Sequence, residues 1–387
     1  MNITITPSKL TGSIEAIASK SYAHRIILAS ALSDKPTLIH INAISKDIIA
    51  TVNSVNALGA NAVIEEKAIR VEPIIKRQQK PVIHVTESGT TARMILPIAC
   101  ALYNEGTLTG EGSLLKRPFA PLCKALEDNG ITFSNTFLPI DFKGNMESGD
   151  YRISGSESSQ YISALMYALP LLSAESKIIL TSPLASKGYV DITTDVLNQF
   201  GVRGGFETKG NEKFISPGEI TVEGDMSNAA FWLAAGVNVT GLNPNSKQKD
   251  KLFLSVKDSS EINADDIPDL VPILAVYAAS RVGETRIYNV GRLRIKESDR
   301  IESTYAMIKA LGGEIEANDS EIIIYGKGEL KGGRVDSYND HRIAMSAAIA
   351  SCFCKEKVII TNAEAVNKSY PQFFEHFNSL GGKANVE

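Results

Sequence analysis

Along this chain an apolar segment of helical spacing ends in a small turn, a glycine and a short strand-like run. The phrase occurs five times, as VNALGANAVIE, ALEDNGITFS, LNQFGVRGG, MIKALGGEIEA and HFNSLGGKANV. Each glycine stands where a helix would end in a left-handed residue. The five are Gly59, Gly130, Gly201, Gly312 and Gly381, with successive gaps of 71, 71, 111 and 69 residues. One unit therefore recurs about every seventy residues, and one copy lacks its marker between Gly201 and Gly312. Two full periods would need 142 residues, so 31 are missing. The shortfall falls in TGLNPNSKQKDKLFLSVKDSSEINADD (240–266), which is polar, Lys-rich and without helical periodicity. The pattern predicts a trimmed unit there.

Strand-like runs, ITITPS, PTLIHI, KIILTS, TRIYNV, EIIIYG and KVIITNA, alternate with the helices and indicate an α/β fold. The stretch from Gly381 through the two ends of the chain to Gly59 is also close to one period. The N-terminal strand is thus expected to complete a unit begun at the C-terminus, with both ends in one domain. At 387 residues the chain is long enough for two cores. The expected domains are 1–18 plus 224–387, and 19–223.

Composition narrows the function. With 40 Lys+Arg against 44 Asp+Glu, a formal charge of −4 argues against a nucleic-acid binder with a basic face, so any anion site must be local. The opening MNITITPSKL lacks signal-peptide blocks, and the longest apolar run, LVPILAVYAA (270–279), is too short to span a bilayer. A cytoplasmic protein with no membrane association is expected. Cys100, Cys123, Cys352 and Cys354 sit in apolar stretches and read as buried thiols. The five histidines form no ligand spacing, and neither a metal nor a cofactor is expected.

The chemistry-bearing residues gather where helices begin. ASKSYAHR (18–25), ESGTTAR (87–93), LKRP (115–118), SESSQY (156–161), RIKESDR (294–300), YNDHR (338–342) and NKSYP (367–371) each precede or open an apolar helix. Free N–H groups and the positive dipole end make helix starts anion cradles, and Lys or Arg one turn in strengthens them. Any one such start is most simply an ordinary cap. Seven of them suggest two domains whose helix starts face one cleft, where Lys20, Arg25, Arg93, Arg117, Lys296, Arg300, Arg342 and Lys368 meet highly anionic substrates. No Walker A and no G-x-G-x-x-G sequence is present, and the S-x-x-K at Ser113 has no K-T-G after it.

In order, SKSYAHR, SGTTAR, KRP, SSQ, SKGY, EGD-x-S, DIPD, KESDR, NDHR and K-S-x-P resemble the 5-enolpyruvylshikimate-3-phosphate synthase family nearly end to end. The resemblance implies two similar domains, each of about three copies of a small α/β unit in an inverse α/β barrel, closing on substrates in the cleft between them. It implies transfer of the enolpyruvyl group of phosphoenolpyruvate to the 5-hydroxyl of shikimate-3-phosphate, with release of phosphate, by a monomer without cofactor.

Carried over by motif, Ser21 and Arg25 would bind the shikimate carboxylate. Ser158, Ser159 and Ser186 would hold its 3-phosphate, with Gln160 on the ring and Tyr189 beside it. Lys20, Gly89, Arg117 and Lys368 would hold the phosphate of phosphoenolpyruvate, and Arg300 and Arg342 its carboxylate. Asp269 would orient and deprotonate the hydroxyl, Lys296 would complete the reacting centre, and Glu297 and Lys20 are the candidates for the C3 proton. The family's inhibitor glyphosate is expected to compete with phosphoenolpyruvate at the bare Gly89.

Ile17, Glu87, Met94 and Arg292 depart from the family's usual residues. The UDP-N-acetylglucosamine enolpyruvyl transferases share the chemistry, but EGSLLKRP lacks their loop cysteine, and Cys123 follows the arginine. A non-catalytic anion-binding protein would have no use for Asp269, Glu297 and Lys368 together.

Overall fold

All five marker glycines have positive φ, from +74° at Gly201 to +97° at Gly381. Each lies just past a helix, in a conformation where a Cβ would be strained. The computed structural model describes residues 1–75 and 79–386. It divides into two units, Ala18–Val222 and Met1–Ile17 with Glu223–Glu387.

The unit Ala18–Val222 contains helices α1 (Lys20–Leu32), α2 (Lys46–Ala57), α3 (Gly89–Leu102), α4 (Ala120–Glu127), α5 (Ser159–Ala168) and α6 (Lys187–Gln199). Two of its sheets share one topology, a parallel pair followed by two antiparallel strands. One runs Glu219–Thr221, Thr37–His40, Ala68–Glu72, Asn61–Ile64, and the other Val82–His84, Glu105–Thr109, Ile140–Gly144, Ile131–Phe133. The third sheet has three strands, Asp150–Ile153, Ser176–Leu180 and Glu207–Thr208.

The other unit carries α7 (Met226–Ala234), α8 (Phe253–Val256), α9 (Val271–Ala279), α10 (Arg300–Ala310), α11 (His341–Ala350) and α12 (Phe373–Ser379). The same four-strand topology appears in Glu261–Asn263, Val282–Tyr288, Glu321–Lys327, Glu314–Ala317. It appears again in Gly333–Asp336, Val358–Thr361, Ile3–Ile5, Ala384–Val386. There the N-terminal strand lies between two C-terminal ones, with Ile3 opposite both Ile360 and Val386.

The remaining sheet is a single parallel pair, Ser13–Glu15 with Asn238–Thr240. After Thr240 a 3₁₀ turn, Lys249–Leu252, and the one-turn α8 replace a second long helix and two further strands. That is the trimmed copy. Its glycine, Gly236 at φ +79°, follows the first helix of the unit rather than the second, and so falls outside the seventy-residue spacing.

In the first unit α1, α3 and α5 are the most deeply buried helices. Every residue from Tyr22 to Ala31 in α1 and from Thr91 to Cys100 in α3 is buried, His24, Arg25 and Arg93 included. In the second unit α9 and α11 are of this kind, whereas α10 buries Ile301, Thr304 and Ile308 and exposes Glu302. Among the described residues no helix is long and apolar enough to cross a membrane. The four cysteines are free thiols, Cys352 only partly buried.

Two of the expected starts, those before α4 and α12, carry a tight turn ahead of the helix. LKRP closes the 3₁₀ turn Gly112–Lys116, and NKSYP spans the end of the 3₁₀ turn Ala363–Lys368. Arg117 and Lys368 therefore stand at the ends of tight turns, not one turn into a helix. Lys296 likewise caps the 3₁₀ turn Gly291–Ile295.

Candidate active site

In the first unit, the named residues cluster at the N-termini of α1, α3 and α5. Lys20 opens α1, and its Nζ donates to Asp47 Oδ2 at 2.9 Å, with both side chains mostly buried. Gly89 opens α3 behind the cap Ser88, whose Oγ accepts from Thr91 N. Ser158 caps α5 by accepting from Gln160 N, and Ser159 begins it. Gln160 joins the starts of α5 and α3, since its Nε2 donates to Thr90 Oγ1 at 2.8 Å and its Oε1 accepts from Arg93 Nη1 at 2.7 Å. Ser186 leads α6 in a left-handed conformation, φ +51°, an unusual state for a residue with a side chain.

Arg117 lies across Gly89. A Cβ added at Gly89 would come within 2.5 Å of Arg117 Nη1. The Arg117 Nε is buried without a hydrogen-bond partner, and among the described residues its guanidinium forms no ion pair. An uncompensated cation beside the free amides of a helix start is an anion site in waiting. The departure Glu87 contributes here, because its carboxylate accepts from Ser113 N at 3.1 Å and packs under Gly112, anchoring the turn that ends in Arg117.

Arg25 is almost wholly buried. Nε donates to Thr193 Oγ1 at 2.7 Å, Nη1 to the Ser21 carbonyl at 2.8 Å, and Nη2 to Ser163 Oγ at 3.3 Å and the Tyr189 carbonyl at 3.1 Å. It fixes Ser21 and Tyr189 in place and has at most one N–H left for a ligand.

The second unit holds a denser centre. Arg300, 1% exposed, donates through Nε to Asp340 Oδ2 at 2.8 Å, through Nη1 to Asp269 Oδ1 at 2.6 Å, and through Nη2 to Glu297 Oε2 at 2.7 Å. Three carboxylates thus surround Arg300, a residue expected to grip a substrate carboxylate. Arg342 differs. Its Nη2 donates to Ser227 Oγ at 2.8 Å and Asp269 Oδ2 at 3.2 Å, but its Nε and Nη1 are buried without partners. Of the two, Arg342 is the one with whole nitrogens left to donate to an anion.

Asp269 sits between these guanidiniums with Lys296 Nζ 3.9 Å away. Burial works to raise its pKa, yet Arg342, Lys296 and Arg300 together hold it well below the usual carboxylate range. Lys296 is pushed down from the usual lysine range by burial and by Arg300 and Arg292, against the pull of Asp269 and Glu297. Lys368 Nζ donates to the Asn339 carbonyl at 3.0 Å, in the positive-φ turn Tyr338–Asn339 that leads to α11. The departure Arg292 is tied to Asp265, with Nη2 at 2.7 Å from both its carbonyl and Oδ1.

A family model, EPSP synthase (3-phosphoshikimate 1-carboxyvinyltransferase), matches residues 5–258 and 243–377. The chain is 40% identical to a 3-phosphoshikimate 1-carboxyvinyltransferase of Clostridium perfringens, covering 98% of each. The chain belongs to the EPSP synthase family. A Clostridium novyi member is also 40% identical, again over 98% of both chains. The alignment to the C. perfringens protein runs over 417 positions, more than the 387 residues here, so that relative carries segments this chain lacks. The structure of EPSP synthase from Acinetobacter baumannii superposes with a TM-score of 0.81 over the whole of both chains at 21% identity, which shows a shared mixed α/β fold.

Several residues in these centres were not singled out from the sequence. Asp340 was inside the motif NDHR and Ser227 inside EGD-x-S, but the partners they serve are visible only in the fold. Asp47, four residues before Thr51 on α2, carried no signal of its own. Asp250 is buried in the trimmed unit with Oδ1 unpartnered. Burial first, then Asp269 and Asp225, against the pull of Arg342, push its pKa up to about 7.

Proposed function

We propose that this chain transfers the enolpyruvyl group of phosphoenolpyruvate to the 5-hydroxyl of shikimate-3-phosphate and releases phosphate. Family membership sets the reaction, and one observation carries the reading onto this chain: the Asp269 carboxylate held between Arg300 and Arg342 with Lys296 beside it. In this reading residues of both units serve the same pair of substrates. Lys20, Gly89, Arg117 and Lys368 hold the phosphate of phosphoenolpyruvate, and Arg342 takes its carboxylate, with Arg300 behind it. Ser21 and Arg25 hold the shikimate carboxylate, and Ser158, Ser159 and Ser186 the 3-phosphate, with Gln160 and Tyr189 along the ring.

The 5-hydroxyl oxygen adds to C2 of the enol, its proton passes to Asp269, and C3 gains a proton from Glu297 or Lys20. The tetrahedral ketal then loses a C3 proton and expels phosphate, restoring the vinyl group. Asp269 alone is a weak base, because three cations stabilise its charged form. A substrate carboxylate on Arg342 offsets part of that field and raises the basicity of Asp269 only when phosphoenolpyruvate is bound. The surrounding cations then stabilise the charge that develops in the ketal.

The deciding experiment measures phosphate released from phosphoenolpyruvate with shikimate-3-phosphate, and separately with UDP-N-acetylglucosamine. Release with the first acceptor and none with the second is expected. The reverse pattern overturns the acceptor, and no release with either overturns the reaction.

A further inference from the structure

A chain of buried hydroxyls runs from α1 to the first turn of α3. His24, 1% exposed, places Nδ1 2.6 Å from Thr51 Oγ1, Thr51 Oγ1 is 2.7 Å from Thr91 Oγ1, and Thr91 Oγ1 is 2.7 Å from Ser88 Oγ. Thr51, Thr91 and Ser88 are each 1% exposed or less. Ser88 is the cap of α3, and its Oγ also accepts from Thr91 N. None of the four residues belongs to the substrate-binding set assigned above.

The chain has a direction. Burial, with Lys20 and Arg25 nearby, drives the His24 pKa well down, so the ring is neutral and has one N–H. Nε2 is buried without a partner. A proton on Nε2 would leave a bare buried donor, whereas a proton on Nδ1 is used in the one hydrogen bond the ring makes. His24 therefore donates to Thr51. Thr51 donates in turn to Thr91 Oγ1 at 2.7 Å, closer than its 3.3 Å approach to the Asp47 carbonyl. Thr91 donates to Ser88, whose oxygen is then fixed by two donors at the start of α3.

His24 lies one turn after Lys20 on α1, and Thr51 one turn after Asp47 on α2. The Lys20–Asp47 ion pair and the His24–Thr51 hydrogen bond are thus successive rungs between the same two helices.

We propose that His24 is a positioning residue for the phosphate-binding groups of the first unit, fixing the Ser88–Gly89 turn through Thr51 and Thr91 and setting Lys20 against Asp47. This rests on the assignment of Lys20 and Gly89 to the phosphate of phosphoenolpyruvate. His24 itself touches no substrate.

The test compares His24→Leu, His24→Asn and Thr91→Val with the unaltered enzyme. Leucine removes the donor, asparagine restores one near the Nδ1 position, and valine cuts the chain at its far end while keeping the shape. The expected result for leucine and valine is a KM for phosphoenolpyruvate raised roughly 10-fold, as for lost support behind a binding group. The KM for shikimate-3-phosphate should stay within about twofold, and asparagine should recover most of the loss. Should the leucine variant fail to fold, Thr91→Val carries the test alone. An unchanged KM for phosphoenolpyruvate in a folded Thr91→Val overturns the proposal, as does an equal rise for both substrates that asparagine does not rescue. Inorganic phosphate titrated against the Gly89 amide by NMR gives a readout without turnover. Weaker phosphate binding in the variants supports the link even if the unaltered protein releases no phosphate from the substrate pair, an outcome that would sink the reaction assignment instead.

Discussion

Asp269 Oδ1 accepts from Arg300 Nη1 at 2.6 Å, and the same guanidinium is closed off by Asp340 and Glu297. The arginine is therefore part of the frame that aims the carboxylate. Asp269→Asn keeps the shape and removes the charge. Turnover should fall by roughly 10²-fold or more, since a positioned base contributes about that much. Binding of phosphoenolpyruvate should hold or tighten, because Arg342 and Lys296 lose their internal counter-charge. Steady-state kinetics with calorimetry checks both, and near-normal turnover removes Asp269 from the proton path.

Arg342 has two buried N–H-bearing nitrogens without partners, whereas Arg300 is engaged on every nitrogen. Arg342→Met should raise the KM for phosphoenolpyruvate by roughly 10²-fold, the order expected for a lost charge-assisted hydrogen bond to a substrate carboxylate. The same change at Arg300 should act first on folding, because it leaves Asp340 buried without its arginine counter-charge. Thermal melts of the two variants separate the cases: a normal melt for the Arg300 variant with a selective loss of phosphoenolpyruvate binding would reverse the assignment.

At Gly89 a new methyl group meets the tip of Arg117 rather than backbone, with Nη1 at 2.5 Å and the guanidinium carbon at 3.1 Å. A flexible side chain can withdraw, so Gly89→Ala should fold normally while displacing Arg117 from the cradle. The longer glyphosate needs more of that space than phosphoenolpyruvate does. Its inhibition constant should rise more than the KM for the substrate, and equal rises would show that Arg117 simply moved aside for both.

Much of this arrangement is legible in the sequence where the backbone requires a particular residue. The marker glycines are such places, because a helix ending in positive φ excludes most side chains, and so are Ser88, Ser158, Asp299 and Asp340, which cap α3, α5, α10 and α11. The tight turns ahead of α4 and α12, at whose ends Arg117 and Lys368 stand, leave no mark in the sequence, because a 3₁₀ turn of five or six residues is too short to show a period. Arg300 illustrates a different limit. A motif identifies an arginine in a site, but whether its N–H groups face ligand or protein depends on carboxylates that only the fold brings near.

Asp250 was hidden in another way, among Lys247, Lys249 and Lys251, where it resembled one charge of a solvated run. The fold draws it inward because Gln248 is lashed to the start of α7, its Oε1 accepting from Met226 N at 3.0 Å and its Nε2 donating to the Gly224 carbonyl at 2.8 Å and to Glu223 Oε1 at 2.7 Å. The buried carboxyl that results has its pKa raised from 3.8 to about 7, so between these values the folded protein keeps a proton that the unfolded chain releases. Stability from this group is complete below the unfolded value and is lost as pH rises through the folded one, by at most about 1.4 kcal/mol per pH unit. Asp250→Asn removes the titration while keeping the shape. Urea unfolding at pH 5, 6, 7 and 8 without substrates should show the asparagine variant gaining on the unaltered protein as pH rises towards 7, with a constant difference above. Stability curves that run parallel across this range would mean that Asp250 reaches water, and that the trimmed unit does not seal it in.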